Sequence, residues 1–280
     1  MTAPSDRPQP TRIRPAADRI WPDARELWNQ RSLLRLLTLR GLVSRYRQSL
    51  LGVGWAVLYP IVTLLIFYVV FGRTLGMDEA ATGPYPVFLL IGIVLWNFFA
   101  TSLSSTTQSV VNNAGLIGKV YFPRLFLPLS AIGVAVVDGL IQGMLLGLLM
   151  LVFRIEVSAA WCWLPAIVVW LVLLSTAAGT GLAALNVRFR DVGHAVPFAI
   201  QTLFFLTPVG YPAALVSSEW RAFYAINPVS TIIESARYAL GLAPSPPTLS
   251  LAVSGVATVI VVLTGLVYFE RTARRFADTI

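Results

Sequence analysis

This sequence has little charge. Of its 280 residues 12% are charged and 56% are hydrophobic, whereas soluble domains carry about 25% charged residues. So few ionisable groups cannot clothe a soluble surface, and the apolar residues come in long blocks. Lipid, rather than an oversized core, is where such blocks belong. Cysteine and histidine are scarcer still: Cys162 and His194 are the only ones. A single cysteine excludes an internal disulfide, and without a CxxC pair or a His cluster no metal site is expected. An apolar leader is missing too, because MTAPSDRPQPTRIRPAADR is polar and rich in Pro and Arg. It lacks the h-region of a secretory signal. Residues 1–22 read as a disordered cytoplasmic tail, and the first apolar run as an uncleaved signal-anchor. No nucleotide-binding motif is present. GLIGKV at 115–120 has a Gly and a Lys, but a phosphate loop needs G-x-x-x-x-G-K-[ST] after a strand. No internal repeat is evident, which weighs against a transporter built from inverted repeats within one chain.

What is present is a set of six apolar stretches, each near the roughly 20 residues that cross a bilayer. They run over about 54–71, 87–111, 126–153, 163–186, 195–211 and 249–269. The second has a polar C-terminal half, and the fifth is bracketed by Pro197, Pro208 and Pro212. The net charge of +8 reads as orientation rather than nucleic-acid binding, because Lys and Arg are retained on the cytoplasmic side. With six crossings, 17 of the 21 Lys and Arg fall on the side that holds both termini. The expectation is an all-α integral membrane protein with both ends in the cytoplasm. Dropping one span would scatter the later basic pairs onto the wrong side.

Two segments outside the spans are structured as well. From 23 to 50, Leu27, Trp28, Leu33, Leu34, Leu36 and Leu37 recur at helical spacing with Arg25, Arg31, Arg35 and Arg40 between them. That pattern describes an amphipathic helix lying in the membrane interface. From 211 to 247 the chain is semi-apolar, with two short helices expected near 218–226 and 229–242. These are too short to cross and form a capping or partly re-entrant outer element.

Polar groups within the spans are the candidates for function. Asn97, Thr101, Ser104, Ser105 and Gln108 recur in steps of three and four, on one helical face. Such a stripe avoids lipid. It either walls a hydrophilic pathway or hydrogen-bonds to a packed neighbour. Asp138, with Gln142 one turn on, sits inside the third span, where an Asp costs roughly 2.5–3.5 kcal/mol. It should have a partner or water, and a structural hydrogen-bonded role is favoured over a proton relay. His194, beside Arg190 and Asp191, reads as interfacial. Aromatics collect toward the expected outer ends, in part as the ordinary interfacial belt.

Five blocks in order, RYRQSLLGVGWAVLYP (45–60), PYPVFLLIGIVLWNFF (84–99), NAGLIGKVYFPRLFLPLS (113–130), LNVRFRDV (185–192) and INPVSTIIESARYAL (226–240), carry a family likeness. Together they resemble the membrane subunit of ABC-2 polysaccharide exporters, the group of O-antigen, teichoic-acid and capsule export permeases. The resemblance covers about 23–280, which is taken as the transmembrane domain. It implies a homodimer in the bacterial inner membrane, paired with two copies of a separate ATPase that binds ATP and Mg, and no enzyme activity or cofactor in this chain. The cargo implied is a lipid-linked polysaccharide, with membrane lipids as further partners. By the same resemblance Asn113, Lys119, Tyr121 and Arg124 would contact the ATPase. Arg45 and Arg47 would admit the lipid pyrophosphate. Tyr59, Trp96, Asn97, Phe98, Thr101, Ser105 and Gln108 would line the channel, and Phe205, Tyr211, Trp220 and Tyr224 would form its outer gate. The rival readings are an ABC-2 exporter of a drug or lipid and a membrane-embedded transferase. The transferase would need a cluster of Asp, Glu or His at one membrane face.

Overall fold

A computed structural model describes residues 24–47, 49–80, 82–119, 122–217, 220–274 and 276. The tail 1–22 and Tyr121 lie outside these. Among the described residues every regular element is helical. Two helices come first, α1 (Ala24–Asn29) and α2 (Arg31–Tyr46). Next comes α3 (Gly54–Phe67), which continues as a π-helical segment, Tyr68–Thr74. Short α4 (Met77–Ala80) leads to α5 (Tyr85–Asn112), short α6 (Ala114–Ile117) and α7 (Phe126–Val152). A 3-10 turn, Ala159–Trp163, opens α8 (Leu164–Arg188), and α9 (Val192–Phe205) follows. The chain closes with α10 (Arg221–Ile226), α11 (Pro228–Ala239) and α12 (Thr248–Ala273).

Five helical stretches are long and apolar enough to cross a membrane: Gly54–Thr74, Tyr85–Asn112, Phe126–Val152, Ala159–Arg188 and Thr248–Ala273. The remaining expected span, 195–211, forms only the 14 residues of α9, about 21 Å at 1.5 Å per residue. A bilayer core of about 30 Å exceeds that. The reason lies in the sequence. Pro208 and Pro212 have no N–H to give a continuing helix, and each disfavours helical backbone in the residue before it.

The second expected span, with its polar half, is the centre of the molecule. α5 packs against α3, α7, α8, α9 and α11 and is mostly buried. Its apolar face, including Phe88, Leu89, Ile91 and Ile93, joins Leu171 and Leu174 of α8 and Ile232 and Ile233 of α11 in one core. Beside it α8 crosses α12 with backbones nearly touching. A Cβ on Gly181 would stand 2.9 Å from the Gly265 Cα, and one on Gly265 would collide with the Ala177 carbonyl. Small residues permit this close approach, which membrane helices use in place of a hydrophobic driving force. By contrast α3 and α12 leave broad apolar faces uncovered in the single chain. Val62, Leu65 and Ile66 are exposed on the first, and Val256, Val259 and Ile260 on the second.

The amphipathic helix α2 lies along α7 with none of its residues fully buried. Leu33, Leu34 and Leu37 meet Phe122, Phe126 and Leu127, while Leu36, Leu39 and Val43 remain exposed.

Short α11 is firmly bounded. Asn227 accepts from the Val229 N–H at 3.1 Å and Pro228 follows at the first helical position, both favoured at helix starts. At its end Gly241 has φ 73°, which Gly adopts without strain. The Gly241 N–H then bonds the Tyr238 carbonyl at 3.0 Å and the Leu242 N–H bonds the Arg237 carbonyl at 2.8 Å, a Schellman ending.

Candidate functional site

On α5, residues 97, 100, 101, 104, 105, 108 and 111 are half-buried, while most of their neighbours between 85 and 110 are buried. The polar stripe of Asn97, Thr101, Ser104, Ser105 and Gln108 is therefore the one accessible edge of an otherwise enclosed helix. Its hydroxyls turn partly inward: Ser105 donates to the Thr101 carbonyl at 2.7 Å, which satisfies it within the helix. Asn97 reaches across to α7, donating to Gln142 at 3.4 Å. Asn97 thus bonds to a neighbouring helix, while Thr101 to Gln108 keep a half-buried polar edge. Trp96 and Phe98 lie elsewhere, in the packed interior. Trp96 meets Phe204 edge-on at 5.5 Å, and Phe98 lies over Gly139 of α7. Tyr59 is exposed on α3.

At one end of the stripe is the segment between α5 and α7. Asn113 closes α5, its side-chain amide donating to the Ser109 carbonyl at 2.8 Å. α6 follows at once, and Lys119 beyond it is exposed. The Arg124 guanidinium lies 5.9 Å from the Phe276 ring centre. The loop between α8 and α9 is tied to the same end of α5. Buried Asn186 donates to the Thr107 carbonyl at 3.1 Å and accepts from the Gly193 N–H at 2.8 Å.

Asp138 has its partners, and they come from α2. Its carboxylate accepts the Tyr46 hydroxyl and pairs with Arg45 at 2.8 Å. Arg45 keeps 44% of its side chain exposed, against 6% for Asp138. Burial, with the hydrogen bond to Asp138, pushes the Tyr46 hydroxyl up to about 12. Arg47 is exposed one position past the helix. So one proposed anion-binding arginine is engaged within the chain and the other is open.

At the opposite end of α5 sit the cap residues. The Tyr211 and Tyr224 hydroxyls are 2.6 Å apart, while Phe205 and Trp220 are exposed. Sequence reasoning missed the residue that organises this end, Arg237, which is fully buried. It pairs with Glu234 at 2.8 Å and lies 3.6 Å from the Phe88 ring centre. Burial lowers its pKa, with Glu234 opposing the shift. A signal was available: Arg237 follows Ile233 by four positions and so shares the apolar face of α11.

A bundle of apolar membrane-length helices, with a polar stripe down its central helix and a capped end, defines a multi-span membrane protein. The chain belongs to the ABC-2 type transporter family, whose model matches residues 32–240. Among characterised relatives, it is 31% identical over 265 residues to the O-antigen export system permease protein RfbA of Myxococcus xanthus, covering 91% of this chain and 98% of that protein. A Klebsiella pneumoniae protein of the same name is 26% identical over 249 residues, 88% of this chain and 94% of that one. The polysialic acid transport protein KpsM of Escherichia coli is 25% identical over 216 residues, 75% and 82% respectively.

Proposed function

We infer that this chain is the membrane-spanning subunit of an ATP-driven exporter of a lipid-linked polysaccharide of the O-antigen kind. The observation that carries the reading is the likeness, along nearly the whole chain, to permeases named for O-antigen export. It works as a homodimer in the bacterial inner membrane, with both termini cytoplasmic. Val192–Phe205 and the non-helical residues after it complete the sixth crossing that the charge tally requires. The uncovered apolar faces of α3 and α12 suit lipid or a second copy. ATP and Mg are bound by two copies of a separate ATPase, which contact the segment from Asn113 to Arg124. Residues 1–22 form a cytoplasmic tail outside the transmembrane domain of 23–280.

In this reading the pyrophosphate of the lipid anchor arrives beside Arg45 and Arg47. The glycan then passes along the accessible polar edge of α5, whose hydroxyls and amides exchange hydrogen bonds with sugar hydroxyls as water does. Phe205, Tyr211, Trp220 and Tyr224 stand at the exit. Deleting the gene should trap glycan inside the cell, and the purified chain should bring down a nucleotide-binding subunit. Normal surface glycan after deletion would refute the cargo. Failure to capture any ATPase would refute the subunit assignment. Continued glycan export together with accumulation of a drug or lipid would favour the rival ABC-2 reading.

A further inference from the structure

Between α9 and α10 the chain leaves helical geometry around Pro208, freeing carbonyls that no helical N–H can reach. At or near membrane depth, irregular backbone persists only where other groups satisfy it. Side chains from two other helices and from the residue that caps one of them supply this. Arg237 donates through Nη1 to the Pro208 carbonyl at 2.6 Å. Its Nη2 donates to the Val209 carbonyl at 2.7 Å and to the Phe88 carbonyl at 3.3 Å. The Tyr85 hydroxyl donates to the Gly210 carbonyl at 2.6 Å. Asn227, the cap of α11, donates to the Thr207 hydroxyl at 2.9 Å. The fit is tight on the α5 side, where a Cβ on Gly92 would stand 2.8 Å from both Arg237 Nη2 and the Val209 oxygen.

A fully buried arginine carries a desolvation cost that a hydrophobic residue of similar volume would avoid. What it supplies here is a planar fork whose two ends hold two consecutive carbonyls and a third from another helix. Tyr211 follows directly after this clamped segment, and its hydroxyl meets that of Tyr224 across the cap at 2.6 Å.

We propose that Arg237 is the positioning residue of the outer gate: its fork fixes residues 208–209 to the outer end of α5 and so holds Tyr211 against Tyr224 when the exporter is at rest. α5 runs unbroken from this clamp to Asn113, so a displacement at the cytoplasmic segment reaches the gate along one rigid helix. The inference rests on the export reading, with the cap on the outer face.

The test is resting leak. Full-length protein, purified with whatever subunits accompany it, is reconstituted in phosphatidylethanolamine and phosphatidylglycerol vesicles loaded with carboxyfluorescein, without ATP. Arg237→Lys keeps the charge, but one nitrogen cannot occupy both fork positions. It should assemble and melt like the wild type yet release dye at least roughly tenfold faster, the factor that about 1.4 kcal/mol lost from the closed state brings. Gly92→Ala should leak too, since it pushes on the clamp while keeping Arg237. Glu234→Gln leaves every carbonyl contact in place and should stay tight. Equal tightness of assembled Arg237→Lys and Gly92→Ala would overturn the proposal. So would a Glu234→Gln leak as large as that of Arg237→Lys, which would make the ion pair the working part. If Arg237→Lys fails to assemble, Gly92→Ala decides. The dye assay needs no cargo, so a wild type that exports no glycan would sink the export reading without altering the leak comparison.

Discussion

Removing Arg45, Asp138 or both measures how α2 is held to the membrane bundle. Asp138 lies inside α7 with 6% of its side chain exposed, while Arg45 is 44% exposed. Breaking a fully buried ion pair from one side costs about 3–5 kcal/mol, whereas an exposed pair is worth about 0–1 kcal/mol. Arg45→Ala removes the exposed partner and leaves the buried carboxylate with Tyr46 alone, so its cost should fall between these limits, at about 2 kcal/mol. Asp138→Asn keeps an acceptor for Tyr46 in neutral form and sets Arg45 free in the interface, for about 1 kcal/mol. Once Asp138 is neutral, losing Arg45 should cost almost nothing, so the double variant should match Asp138→Asn alone. The coupling should be about 2 kcal/mol, well above the roughly 0.3–0.5 kcal/mol scatter of independent sites. SDS-unfolding midpoints of the purified protein measure each corner of the cycle, and protease cleavage within 31–46 reports whether α2 has detached. Additive losses would refute the pairing as the anchor of α2.

The half-buried edge of α5 predicts an alternating labelling pattern in a Cys162→Ser background, made necessary because Cys162 is exposed. Thr101→Cys, Ser105→Cys and Gln108→Cys should react with a water-soluble maleimide, while Ser102→Cys and Thr106→Cys, buried one position on, should not. Uniform reactivity would remove the stripe as a distinct face. Gly265→Leu should abolish folded protein, because a side chain there meets the Ala177 carbonyl at the α8–α12 crossing; a normal yield would contradict that packing. Asn186→Ala loses one buried and one part-buried hydrogen bond and should cost about 1–3 kcal/mol, read as a lower midpoint. The raised Tyr46 value means that this hydroxyl's contribution to holding α2 on α7 is fully present below the ordinary tyrosine pKa of 10.0 and is lost as pH climbs through about 12. Protease protection of 31–46 across that range, with Tyr46→Phe as the flat control, checks the sign.

Local pattern made much of this protein readable from its residues. Apolar runs of membrane length predict helices without reference to anything distant. The polar stripe was legible because side chains three and four apart share a face in any helix, and that face emerged as the accessible one. Asp138 announced that it needed a partner, because a carboxylate inside a span is costly wherever it sits. Which partner it takes was decided only by folding, since Tyr46 lies 92 positions away and nothing local joins α2 to α7. The same holds for Arg237, whose contact with Phe88 spans 149 positions and whose role depends on carbonyls that exist as free acceptors only because Pro208 breaks a helix. Hydropathy alone does not set the order of burial. α5, with its polar stripe, is the enclosed centre, while the apolar α3 stays outside, because in lipid an apolar surface gains nothing by hiding whereas polar groups must find one another. Periodicity is a property of the chain, and so five of the expected spans and the stripe were written in the sequence. The pairing of buried polar groups is a property of distance, and only the tertiary structure could set it.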